Sequence, residues 1–204
     1  MSMRFLRFLL IALAVALGRP ALADAPAADR LAYRGFSIDL SAAKSAADFD
    51  QIKTSLKRQI DIVADCGAKP DVMAFLRAQP IAVVPNALET QGLYDRAHGV
   101  RIDAVPQPSG EPILLHELLH AFHAQRLPMG FENPAVLDFY LHAKRAGLYR
   151  EDAFLLRNPA EYFAVTASLY LFGHVDRLPF TREILRGRQP YYYAWLGKLF
   201  GVQK

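Results

Sequence analysis

The chain has 204 residues, 52% of them hydrophobic, with 24 basic and 20 acidic side chains and one cysteine. One cysteine excludes an internal disulfide framework. A leader carrying Arg4, Arg7 and Arg19 and no acid, once removed, brings the charges to near balance, which leaves no electrostatic case for a nucleic-acid partner or a polybasic membrane surface.

That leader is the first element. Arg4 and Arg7 precede the apolar run Phe8 to Leu17, and Ala21-Leu22-Ala23 follows. The order charged, apolar, small is that of a cleavable export signal, and the apolar run is too short for a stable membrane anchor. The expectation is a signal peptide over residues 1–23, a mature chain from Asp24 to Lys204 forming one domain, and a periplasmic or secreted protein with no stable membrane anchor. Ala32 to Leu40 reads as a first strand. From Asp48 the apolar residues Phe49, Ile52, Leu56, Ile60 and Val63 recur at spacings of three and four, the period of an amphipathic helix ending near Gly67. Cys66 follows that helix as a packed or idle thiol. Ile81 to Val84 lies between two prolines, as a buried strand does, and Gly99 to Val105 alternates apolar with polar residues, as a half-exposed strand does. A proline-rich loop, 106–112, leads on to the next element, with Pro112 suited to a first helical position.

His116-Glu117-Leu118-Leu119-His120 is the pattern H-E-x-x-H. Side chains four apart on a helix share a face, so both imidazoles can reach one Zn²⁺ while Glu117, in the turn between, reaches the water that such a metal activates. The flanking Ile113-Leu114-Leu115 and Ala121-Phe122 make the helix partly buried. A helix over 135–146 stopped by Gly147, another from Asn158 to Phe172 closed by Gly173, and two short helices in the tail complete the chain. The aromatic run Tyr191 to Trp195 packs a terminal helix onto the core or serves as a partner patch.

A catalytic zinc needs a third protein ligand and an open position. His123 shares the motif helix, where three ligands from consecutive turns converge poorly, and reads as a histidine supporting the ligands or lying at the surface. The pattern H-E-x-x-H-x-x-G-x-x-H is absent, since His123 and Arg126 stand at its last two positions. Glu161 is the stronger candidate, from a later helix. It also fits a capping box, with Asn158 at the N-cap, Pro159 at N1 and its own carboxylate turned back to the backbone. Asp138 and His142 are the remaining alternatives.

Asn158-Pro159-Ala160-Glu161-Tyr162-Phe163-Ala164, after H-E-L-L-H, resembles the second signature of gluzincins related to the Mlc titration factor A peptidases and the catalytic domain of anthrax lethal factor, where a segment N-x-x-E-[FY]-F-A supplies the glutamate ligand. The resemblance covers two segments, about a fifth of the mature chain. It implies an α+β, zincin-like fold: a small twisted mixed sheet with the active-site helix beneath it, a mainly helical C-terminal half, and an edge strand that holds extended substrate. By that analogy Gly99 to Val105 is the edge strand. Those relatives carry a tyrosine seven residues before the glutamate, a donor to the oxyanion, where this chain has Phe154. Tyr149 is the first substitute, with Tyr162 and His174 behind it.

Together these readings predict a zinc-dependent endopeptidase acting on peptide or protein substrates, with Zn²⁺ on His116, His120 and Glu161 and with Glu117 and Tyr149 as catalytic residues. The alternative is a catalytically weak or inactive zinc-binding protein on the same scaffold; a helical protein in which the motif is coincidental comes third.

Overall fold

The structure is a computed structural model and describes residues 29–85, 91–175 and 180–202. The expected signal peptide lies outside the described residues. Two short strands, β1 (Arg30–Tyr33) and β2 (Phe36–Asp39), open the described chain as a hairpin. This corrects the expected single strand over Ala32 to Leu40. The turn is Arg34-Gly35, both with positive φ (48° and 83°), the handedness that suits a two-residue hairpin loop; arginine in that conformation is not a signal that sequence reading picks up. Helix α1 (Phe49–Ala64) follows where the three-and-four spacing put it, burying Ile52, Leu56, Ile60 and Val63. Helix α2 (Pro70–Arg77), begun by its proline, was not expected.

Strands β3 (Ile81–Val84), β4 (Gly92–Asp95) and β5 (Gly99–Asp103) complete a five-stranded mixed sheet of order β1-β2-β3-β5-β4. β3 runs parallel to β2 and β5, while β4 folds back antiparallel on β5, with Leu93 opposite Arg101 and Tyr94 opposite Val100. The Gly99 to Val105 segment is therefore an interior strand. β4 is the edge, because the Arg96 to His98 turn returns the chain along the side that would otherwise be free.

Helix α3 (Ile113–Arg126) carries the motif and packs under β4 and β5. Pro112 stands at its N-cap, one position earlier than expected. Helix α4 (Pro134–Arg145) is stopped as read, by Gly147 at φ 58°. Helix α5 (Pro159–Phe172) is capped by Asn158 and packs closely along α3. A small ladder of β6 (His174–Val175) with β7 (Phe180–Thr181) precedes the two tail helices, α6 (Arg182–Arg188) and α7 (Pro190–Phe200). The aromatic tail is mostly core: Tyr192, Tyr193, Leu196 and Phe200 are buried, and Tyr191 points to solvent. Cys66 is buried as well. Among the described residues no helix is long and apolar enough to cross a membrane.

Candidate metal centre

Helix α3 is buried on most of its circumference, with Leu114, Leu115, Leu118, Leu119 and Ala121 fully inside. This fixes the pitch at which His116 and His120 emerge. Their Nε2 atoms lie 3.1 Å apart, and the Glu161 Oε2 is 3.3 Å from the first and 3.5 Å from the second. Ligand atoms at about 2.0–2.1 Å around a tetrahedral zinc are about 3.3 Å from one another, so the three atoms outline one face of such a polyhedron. Glu161 Oε2 is itself buried and has no hydrogen-bond partner among the described residues, as a carboxylate oxygen reserved for a cation would be. No other cluster of His, Cys, Asp or Glu with this geometry occurs among the described residues.

Glu161 is held by half of the expected capping box. Asn158 Oδ1 accepts from the Glu161 backbone N–H at 2.9 Å, which sets the first turn of α5. The Glu161 side chain does not return the bond but faces the two histidines. Burial works against its charge, yet the histidines outweigh burial and hold its carboxyl well below the usual carboxylate range.

Glu117 lies beneath β4, its carboxylate beside Gly92 and the Tyr94 backbone N–H. Only 6% exposed, it has its carboxyl pushed up to about 7 by burial, with the nearby Glu161 adding to the rise and His120 and the Tyr94 backbone N–H opposing it. Gly92 leaves room for it: a Cβ there would stand 2.7 Å from Glu117 Cγ and 2.9 Å from Oε1. The strand that sequence reading missed is thus the roof over the acidic residue it found.

His123 is not a surface residue. It is fully buried against Phe163 and Phe131, ring centroids at 4.7 and 5.2 Å, and neither ring nitrogen has a hydrogen-bond partner among the described residues. Burial, and secondarily His120, holds its imidazole down to about 4, so it packs as a neutral aromatic. Asp138 and His142 are exposed on α4 and are not part of the triad.

Tyr149 is buried with its edge to Phe180, and its hydroxyl accepts from Gln189 Nε2 at 2.8 Å. Gln189 in turn accepts from the Tyr162 hydroxyl, so both phenols belong to one interior network. His174 is exposed on β6 with its ring against Phe172. Two aromatic rings flank the ligand imidazoles, Phe154 at 6.4 Å from His116 and Phe131 at 6.4 Å from His120.

No family model matches the chain. Over 140 residues it is 31% identical to a curated Pro-Pro endopeptidase of Paenibacillus alvei, a match covering 63% of this chain and 59% of that protein, so the chain spans less than two thirds of that relative's length. The solved structure of the Pro-Pro endopeptidase from the same organism superposes with a TM-score of 0.53 at 21% identity, over 76% of this chain and 94% of the other. That is a likeness of fold. The α+β architecture, with its small mixed sheet and several helices, is the one the resemblance implied.

Sequence reading also missed Gln59. Buried on α1, it donates to the carbonyls of Pro108 and Glu111 at 2.9 and 2.8 Å and accepts from the Leu114 N–H at 3.1 Å. The N-cap of α3 is a proline with no capping side chain, so a glutamine from another helix takes up an N–H that the helix start leaves open. A bond across more than fifty residues leaves no local signature.

Proposed function

We propose that the chain is an exported, zinc-dependent endopeptidase of the gluzincin type, with His116, His120 and Glu161 as metal ligands and Glu117 as general base. The observation that carries this reading is the triangle of ligand atoms with edges of 3.1, 3.3 and 3.5 Å, beside an acid that no ligand position requires. A purely structural zinc site would be closed by four protein ligands and would have no use for such an acid. Zinc bound here supplies Lewis acidity, lowering the pKa of water towards about 7 and polarising a peptide carbonyl.

Glu117 does the proton work. A carboxyl raised to about 7 is matched to neutral pH, taking a proton from the attacking water and delivering it to the departing amine nitrogen. Helices α3 and α5 hold the ligand atoms in register, so little reorganisation is needed as charge develops. β4 offers an extended substrate its outer backbone edge, since no strand pairs there among the described residues, and α3 lies directly beneath. The name of the Paenibacillus alvei relative makes peptides with Pro-Pro bonds the first substrates to try.

The test is metal content and peptide cleavage side by side. Purified protein should hold one zinc; Glu161→Ala should lose it, whereas Glu117→Gln should keep it and lose at least about 10²-fold in turnover. Full zinc retention by Glu161→Ala would return that residue to a capping role. One observation favours a second reading, a metal-binding protein with weak or no turnover: Phe154, the ring beside His116, brings no donor to the site. Stoichiometric zinc with no cleavage across a broad peptide library would favour it.

A further inference from the structure

The group that would steady the oxyanion is the part of this site still unassigned, and the surroundings of Phe154 point to one residue. We propose that Arg157 is a catalytic residue that stabilises the oxyanion in place of a phenol at position 154; this rests on the endopeptidase reading above.

The Arg157 guanidinium lies 5.1 Å over the Phe154 ring, and that ring lies 6.4 Å from the His116 ring. The cation is therefore no further from the ligand imidazole than those two separations together. The backbone beneath it is fixed: residues 154–156 form a 3₁₀ turn, the Arg157 N–H donates to the Phe154 carbonyl at 3.1 Å, and Asn158, which caps the helix of Glu161, comes next. Three other arginines of the helical half have polar partners, and Arg186 stacks on Tyr193. Arg150 is paired with Asp152, Arg182 donates to the carbonyls of Tyr170 and Leu171, and Arg188 donates to that of Leu148. Arg157 is exposed, and its guanidinium makes no hydrogen bond or ion pair among the described residues. A guanidinium keeps its charge at any working pH and presents N–H groups in a planar fork, and stacking on an aromatic face narrows its range of orientations. Phe154 thus becomes the platform for the donor that it does not itself provide.

The experiment uses the zinc-loaded full chain and two readouts. On a peptide that the wild type cleaves, Arg157→Ala should lower kcat by at least about tenfold with KM within about threefold and metal content unchanged. By calorimetry, the same variant should bind a phosphonamidate peptide, whose tetrahedral anion mimics the oxyanion, at least about tenfold more weakly, while a reduced-amide peptide with no oxyanion binds as before. Phe154→Tyr added to Arg157→Ala should recover both losses. Should Arg157→Ala shed metal, Arg157→Gln, which keeps the stem over Phe154, carries the comparison. Phosphonamidate affinity and kcat within twofold of wild type would overturn the proposal, as would a wild type that binds the phosphonamidate no better than the reduced amide. Arg157-dependent phosphonamidate binding by a protein that cleaves nothing would sink the endopeptidase reading and leave the anion-holding role of Arg157 standing.

Discussion

Glu117 stands where water would ordinarily solvate a carboxylate and does not, so its protonation should be visible in stability. Its ordinary value of 4.5 and its raised value of about 7 bound the window. Below 4.5 the carboxyl is protonated both folded and unfolded. As pH rises through the window the unfolded chain ionises first, and the folded state is penalised by about 3 kcal/mol once pH passes about 7. Glu117→Gln cannot ionise, so in metal-free protein it should gain on the wild type between about pH 5 and about pH 8, measured as the difference in urea midpoints. His123, pulled from 6.5 to about 4, adds the opposite slope below 6.5 to both proteins and cancels in the comparison. An equal midpoint difference at both pH values would mean that Glu117 is solvated. At this scale the candidate site was legible: i,i+4 spacing on a buried helix points to His116, Glu117 and His120 from local sequence, and the need for a third ligand points to Glu161, the residue whose carboxylate lies beside both imidazoles. The surface alternative for His123 fails, because nothing in its local sequence reveals that Phe131 and Phe163 enclose it, while its exclusion from the candidate ligands agrees with the geometry.

Strand β4 shows what an element gains from its partners alone. Gly92-Leu93-Tyr94-Asp95 is too short to show a period and begins with glycine, a residue that weakens strands. It exists because β5 pairs with it and because the glycine admits Glu117. Gly92→Ala would press a methyl against that carboxylate; stability should fall by about 1–3 kcal/mol and turnover with it, while zinc stays bound. An alanine variant with wild-type turnover would show that Glu117 has room to move. For α3 the exposed weakness is its start. Gln59→Leu removes both donations to the preceding loop and the acceptor for Leu114 N–H, leaving that buried N–H unpaired, a loss of about 1–3 kcal/mol. The expected outcome is a lowered melting temperature together with weaker zinc binding in chelator competition. Gln59→Glu, which keeps an acceptor, should fall between the two in zinc affinity; unchanged zinc affinity in Gln59→Leu would confine the glutamine to stability. The Arg34-Gly35 hairpin belongs to the same class of features invisible to periodicity.

For the molecule as a whole, the longer helices and strands β3 and β5 followed from periodicity and their breakers, whereas α2, β4 and the order of strands did not, since pairing is decided by where the chain turns back. The export proposal makes its own prediction: mass spectrometry of protein recovered outside the cytoplasm should find Asp24 at the N-terminus, and an intact Met1 or Ser2 there would overturn it. The two histidines come from α3, beneath the sheet, and the glutamate from α5 in the helical half, with α4 between them in the chain. An ion on the proposed ligands closes a loop much as a disulfide closes one, in a chain whose lone cysteine cannot. A ligand held only by the folded state adds about 4 kcal/mol at a thousandfold excess over its Kd. On the proposed reading, zinc scarcity would stop turnover and loosen the α3–α5 packing in one step, handing the apo form to other proteases while the loaded form persists.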